Sequence, residues 1–245
     1  MTVKSGDEIR AHLDYFRELG VSGVRREKAW SSRPGYASVD DRDETDAVLS
    51  SLDQGVEVAQ SYGSLRDVRD DIGDCTRCQL HEERTNVVFG VGDDNADLMF
   101  VGEAPGRDED LKGEPFVGRA GQLLTKIIEA IDLNREDVYI ANVVKCRPPK
   151  NRNPAPAEIA TCQPFLRAQI AFVKPKVIVA LGAFAAKTLL NDVDTPISVL
   201  RGKVFDFCGA KLIPTFHPAY LLRSPDRKRD VWEDMKKVRG LLRVS

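Results

Sequence analysis

The rhythm of apolar and polar positions changes near Asp97. Before that point the apolar residues are sparse. Over residues 5–20, Ile9, Leu13, Phe16 and Leu19 recur at three- and four-residue spacing, which predicts a short amphipathic helix. The strings Ser31-Ser32-Arg33-Pro34-Gly35 and Asp40-Asp41-Arg42-Asp43-Glu44 break any such period and read as a flexible linker, and a further helix is expected over 64–73. From Asp97 onward, short apolar runs alternate with helical stretches. Strands are expected over 98–101, 138–141, 176–180 and 212–215, and helices over 121–131, 157–172 and 182–190. Such alternation implies a three-layer α/β/α domain around a central four-stranded, mostly parallel sheet. The expected organisation is an N-terminal extension, 1–65, followed by this domain over 66–245.

Charge divides along the same boundary. The whole chain of 245 residues has a net charge of -2, which by itself argues against a polyanionic partner. The first 65 residues, however, hold 8 basic and 12 acidic side chains, leaving 28 and 26 for the remainder, a net of about +2. Within that remainder, residues 145–152 carry Lys145, Arg147, Lys150 and Arg152 with no acid, and residues 223–229 carry four basic side chains against Asp226. Local basic patches attract a phosphate backbone, although a solvated surface loop has the same composition. No apolar run approaches the roughly 20 residues of a membrane span. The opening Met-Thr-Val-Lys-Ser-Gly-Asp-Glu has no apolar signal core, so a cytoplasmic protein free of membranes is expected.

Five cysteines without a secretory signal make a disulfide framework a poor explanation. Cys75 and Cys78 are separated by two residues, a spacing that suits metal ligation or a redox pair; Cys146 and Cys162 are single and separated by fifteen residues. The second half of a zinc ribbon is therefore missing, and spacing leans toward an iron–sulfur centre. Cys208 falls outside the group and reads as a packing residue.

The strand over 98–101 leads into Gly102-Glu103-Ala104-Pro105-Gly106, a glycine-rich strand-to-helix loop. Neither a Gly-Lys-Ser/Thr nor a Gly-x-Gly-x-x-Gly follows, which excludes a P-loop and a dinucleotide fingerprint. Glu103, Asn142 and His217 each come just after a strand end, where open α/β sheets bind ligands. Taken singly, Glu103 could cap a helix, Asn142 form a turn and Phe116 fill the core.

The full strings are more specific. Gly-Glu-Ala-Pro-Gly, then Glu109-Asp110, Gly113 and Pro115-Phe116-Val117-Gly118-Arg119-Ala120-Gly121, together with Asn142, Lys-Cys-Arg-Pro-Pro around Cys146, and Thr215-Phe216-His217-Pro218, resemble the family 4 uracil-DNA glycosylases across roughly residues 66–235. The resemblance implies a uracil-DNA glycosylase-like fold and a [4Fe–4S] cluster on Cys75, Cys78, Cys146 and Cys162. It also implies a monofunctional enzyme that hydrolyses the N-glycosidic bond of deoxyuridine in DNA.

On that resemblance the base flips into a pocket. Phe116 stacks it, and Asn142 reads N3–H and O4. Glu103 supports the oxocarbenium-like sugar and orients water, and His217 stabilises charge on uracil O2. Ala104 occupies the place where better-known glycosylase families carry Asp. Glu109 is expected to exclude the 5-methyl of thymine or bind a water. Arg147, Lys150, Arg152 and Arg223 face DNA, and Leu221 or Leu222 wedges into the duplex. Residues 148–156 contain no histidine, which disfavours a covalent-trapping branch of related enzymes. The alternatives are a glycosylase for another deaminated base and a non-catalytic iron–sulfur module for DNA binding or electron transfer. The expected species is a monomer acting on uracil-containing DNA, with the extension either contacting another protein or serving as a tether.

Overall fold

The computed structural model describes residues 62–243. The helix expected over 5–20 and the linker after it lie outside the described residues, as does His12. Helix α1 (Leu65–Ile72) begins where the Ser64 side chain accepts from the Asp67 amide and stops at Gly73, and its buried face is Val68 and Ile72. Strand β1 (Val91–Gly92) precedes β2 (Leu98–Gly102), which leads through α2 (Arg107–Lys112) to α3 (Arg119–Glu129). Then come β3 (Tyr139–Asn142), α4 (Pro156–Val173), β4 (Val177–Leu181) and α5 (Gly182–Leu190). A single turn, α6 (Ile197–Leu200), β5 (Phe205–Phe207), β6 (Ala210–Thr215), α7 (Pro218–Arg223) and α8 (Lys228–Arg243) complete the described chain.

Strands β2, β3 and β4 are buried at every position, which is why they read as continuous apolar runs rather than alternating ones. Alternation reappears in how their side chains divide. Met99, Val101, Ile178 and Ala180 face Leu166 and Ile170 of α4 and Ala185 and Leu189 of α5. Phe100, Val177 and Val179 face the opposite way, onto Leu124 and Ile128 of α3 and Val231 and Met235 of α8. The result is helix, sheet, helix. Helix α1 packs outside α4 through Val68, Ile72, Phe165 and Ala168.

The sheet has six strands in the order β1-β3-β2-β4-β6-β5, not four. The four parallel central strands are those expected; the two additions are antiparallel edges. Both are too short to carry a period. β1 has two residues, and β5 joins β6 through the two-residue turn Cys208-Gly209, both at positive φ (49° and 82°). That geometry suits a primed hairpin turn, usually made by Asn-Gly, so Cys208 is an exposed turn residue rather than a packing one.

The order in which strands are added reverses at β2, because β3 pairs on one side of it and β4 on the other, all three running parallel. The carboxyl ends of these strands therefore open one crevice. At the end of β6, Thr215 donates its hydroxyl to Asp234 of α8 (2.7 Å), whose carboxylate also takes Arg201 at 2.7 and 3.1 Å. Asp234 is 1% exposed. This triad anchors the strand that ends two residues before His217.

Replacing Arg201 by Met strands a buried carboxylate and is expected to cost about 3 kcal/mol in urea unfolding. The exposed Arg66–Asp70 pair (side chains 87% and 68% accessible) sets the contrast: Arg66→Met is expected to stay within about 0.5 kcal/mol.

Candidate active site

Register creates the pocket floor. Gly102 pairs with Asn142 across the parallel β2–β3 ladder, and a Cβ on Gly102 would collide with Asn142 Oδ1 and come within 2.6 Å of Phe116 Cζ. Glycine is thus required by close approach, and its absence of a side chain lets amide and ring meet over the strand end. Asn142 is 1% exposed, and its Oδ1 is buried without a hydrogen-bond partner among the described residues. An unsatisfied buried acceptor costs about 1–3 kcal/mol until something donates to it.

Phe116 has φ 54°, an αL conformation that costs a bulky residue on the order of 1–3 kcal/mol. Glu109 is one reason it persists. One carboxylate oxygen accepts from the Val117 and Gly118 amides, both at 3.0 Å, and the other from Gly106 at 3.1 Å. Gly121 is another, since any Cβ there would overlap the Phe116 carbonyl. Glu109 lines the cleft, but backbone donors already engage both its oxygens. The same carboxylate thus faces the cleft, where the sequence places a ligand or water contact, and holds the loop.

His217 caps the N-terminus of α7, its Nδ1 accepting from the Ala219 amide at 3.1 Å. With Nδ1 an acceptor, the neutral ring carries its proton on Nε2. Burial drives the imidazole down to about 4, against a smaller opposing pull from Glu109. The ring stands 5.6 Å from that of Phe116, tilted by 33°. Burial acts on Glu103 in the opposite sense, raising its carboxyl above the ordinary range.

These groups share one cleft of about 530 Å³, lined by Glu103, Ala104, Phe116, Asn142 and His217, with Tyr220 also present. Arg152 and Arg223 also line it. Arg152 is held by a two-point pair with Glu158 (2.8 and 2.6 Å). Arg147 donates to Asn151 Oδ1, and Lys150 and Asn151 both have φ 53°. Neither Arg147 nor Lys150 lines the cleft, so both belong to the surrounding surface. Leu221 does not fit the wedge role. It is 1% exposed and packed in the α3–α8 core, because Pro218 and Leu221 share the inward face of α7. Leu222, 39% exposed, is the residue that faces out.

A second cavity gathers Cys75, Cys78, Cys146 and Cys162, with Arg84 and Lys145 beside them. Among the described residues, no three His, Cys, Asp or Glu side chains are spaced to hold a metal ion. The surroundings nevertheless suit anionic sulfur. The Lys145 amide donates to Cys162 Sγ and Arg84 to Cys146 Sγ, both at 3.4 Å, and Arg77 to Cys75 Sγ at 3.7 Å. Burial pushes the free Cys162 thiol up to about 11, so an external electrophile such as a metal must drive its ionisation. His81 sits alongside, its Nδ1 2.8 Å from the Cys78 carbonyl oxygen.

Lys145 connects the two cavities, a link that its place in a basic string does not reveal. Its ammonium is buried and donates to the Asn142 carbonyl (2.8 Å) and to Gln169 Oε1 (2.5 Å), and Gln169 continues to the Phe89 carbonyl at 2.8 Å.

Residues 89–236 match the sequence family described as the uracil DNA glycosylase superfamily. A type-4 uracil-DNA glycosylase of Archaeoglobus fulgidus is 49% identical over 182 residues, covering 71% of this chain and 92% of that protein. One from Thermotoga maritima is 51% identical over 172 residues, 69% and 90% of the two chains. A type-5 uracil-DNA glycosylase of Pyrobaculum aerophilum is 34% identical over 146 residues, 53% and 64%.

Nitrogen-15 NMR of the imidazoles is expected to show His217 as the Nε2–H tautomer, titrating near 4. Since its folded value lies below the unfolded one, stability is full above the unfolded value and lost as pH falls toward the folded one. A His217 that titrates above 6 contradicts the geometry.

Proposed function

Because this chain belongs to the uracil DNA glycosylase superfamily, and within it to the type-4 uracil-DNA glycosylases, we propose that it excises uracil from DNA through the cleft just described. The observation that carries the assignment of the base pocket is the orphaned Asn142 Oδ1. Uracil offers an imide N3–H to that acceptor, whereas cytosine presents a lone pair at N3 and would leave the oxygen unsatisfied. Sites of this kind discriminate strongly, because the wrong ligand strands a buried polar group.

With the nucleotide flipped into the cleft, Phe116 stacks the ring and Asn142 holds its N3 edge. Water adds to C1′ as the C1′–N1 bond breaks, and the bonding pair leaves with uracil as its N1 anion. Glu103, ionised, stabilises the cationic sugar and takes the proton from water. His217 donates Nε2–H to O2, where the anion's charge spreads. A neutral donor suits this task, since its proton is already placed and its ring needs no counterion. Arg152 and Arg223 engage phosphate at the mouth, Arg147 and Lys150 extend the basic surface, and Leu222 enters the gap left by the flipped base.

The four cysteines would hold a [4Fe–4S] cluster, four thiolates being its ordinary ligand set. Hydrolysis moves no electrons, so what the group supplies when bound is a cross-link. Its ligands come from the segment after α1, the loop after β3 and the first turns of α4, which ties the basic loop to the rest of the domain. Residues 1–65 are proposed as an appendage to a monomeric catalytic domain.

The deciding assay uses purified protein, a labelled oligonucleotide with one uracil, and alkali. Alkali-dependent cleavage at uracil is expected, with Asn142→Ala and His217→Ala each losing about 100- to 1,000-fold in rate, the scale for one preorganised hydrogen-bonding group. Because the active form of Glu103 is ionised and its pKa is raised, the rate should fall as pH drops through a value above the ordinary carboxylate range; Glu103→Gln should be slow and lack that acid limb. Iron-replete wild-type protein that leaves the uracil strand uncut refutes the assignment. For the cluster, about four iron atoms per chain are expected, with loss of iron and of visible absorbance in Cys162→Ser. Iron-free protein with full activity and unchanged melting refutes that part.

A further inference from the structure

We infer that Arg135, which lies outside every motif in the sequence, is a positioning residue that sets the stacking ring of Phe116. The inference rests on the reading of Phe116 as the base-stacking residue. Arg135 opens the short turn Arg135–Asp137 just before β3, and its Nη2 donates to the Pro115 carbonyl at 2.5 Å. That carbonyl belongs to the peptide joining residues 115 and 116. Rotation of this peptide about the N–Cα bond of Phe116 is its φ, the angle found at 54°. Arg135 therefore holds φ.

Glu109 holds the other side. Its bond to the Val117 amide fixes the peptide joining residues 116 and 117, whose rotation is ψ of Phe116. With φ and ψ gripped from opposite sides and the Phe116 carbonyl seated against Gly121, an unfavourable backbone conformation has one orientation left, and the ring is aimed with it. Glu109 and Glu114 are the acids whose fields act on the half-buried guanidinium, so both grips belong to one charged cluster. The Arg135 Nη1 is buried and has no hydrogen-bond partner among the described residues, so the hydrogen bond that holds this guanidinium is the one to the Pro115 carbonyl. A single segment, residues 135–142, thus carries both the Phe116 clamp and Asn142. Stacking and edge reading are placed by the same piece of chain.

The test is a double-mutant cycle in the full, iron-loaded protein, with Arg135→Met, Phe116→Ala and their combination, read by kcat/KM on a uracil oligonucleotide and by inhibition with free uracil. Arg135→Met in the wild-type background is expected to lose about 10- to 100-fold in kcat/KM, the scale of a misplacement on the order of 1 Å. Free uracil should inhibit correspondingly less. In the Phe116→Ala background the same change should alter kcat/KM by less than about 2-fold, because coupled residues are non-additive. Amide exchange in the free protein should accelerate at Val117 and Gly118 in Arg135→Met. Equal losses in both backgrounds, or unchanged exchange at those amides, overturns the inference. Should Arg135→Met fail to fold, Arg135→Lys, which keeps a cation and a donor, is put through the same cycle and judged by the same non-additivity. A wild-type protein inactive on uracil refutes the functional reading instead, and the exchange measurement still decides the clamp.

Discussion

The parallel register that sets Gly102 opposite Asn142 is the constraint on which the rest of the site depends. A slip of one residue would turn Asn142 to the other face of the sheet and place a side chain where glycine now admits the Phe116 ring. Everything that fixes this register is remote from the chemistry. Leu98 and Phe100 on one face and Met99 and Val101 on the other are fully buried, so each face of β2 is committed to its own helix layer. The strength of that commitment allows the strand ends to carry features that would not hold themselves together: an unsatisfied amide, a ring in the left-handed region and a carboxyl raised by burial.

One physical effect shifts both Glu103 and His217 in the cleft. Loss of water raises Glu103 and lowers His217, because it disfavours whichever form is charged. For the imidazole this favours the neutral ring, aided by the Ala219 amide that occupies Nδ1. For the carboxyl it weakens the resting ion, leaving a group whose charge is most stabilised once positive charge develops beside it. Among the described residues, the buried cation Lys145 has no carboxylate partner in its hydrogen bonds; it is held by the Asn142 carbonyl and Gln169, next to cysteine sulfur. An anionic cluster on those sulfurs would supply the missing counter-charge.

Much of this was legible in the chain because its signals are strictly local. The four central strands are continuous apolar runs, and α5 has the limits its pattern suggests. Ser64 and Gly73 mark the ends of α1, as short polar caps and glycine do. What the chain does not display locally depends on three-dimensional arrangement. Helix α8 hides its apolar Val231, Met235 and Val238 within a stretch dense in Lys, Arg, Asp and Glu. Strand β5 exists only because Cys208-Gly209 turns it onto β6. Leu221 and Leu222 are chemically alike, and only their rotation about α7 separates a core residue from an exposed one. Glu109 illustrates the same limit. A carboxylate in a motif suggests ligand chemistry, and only the fold shows the three backbone amides that it also binds. Arg135 leaves no sequence signal at all, since its partner is a main-chain carbonyl twenty residues earlier.

The orphaned oxygen of Asn142 also bears on how an enzyme of this kind would spend its time on a long polymer in which almost every residue is the wrong one. A pocket whose acceptor were already satisfied internally would hold any flat ring of suitable size. Here each visiting base that fails to donate leaves the oxygen as stranded as before, so it gains nothing to slow its departure. A difference of about 1–3 kcal/mol corresponds to roughly 5- to 150-fold in residence time. Selectivity against bases that cannot donate would then be expressed first as brevity, with those bases released quickly and the search along the strand resumed before bond cleavage has any choice to make; thymine, which carries the same imide N3–H, differs only by its 5-methyl group.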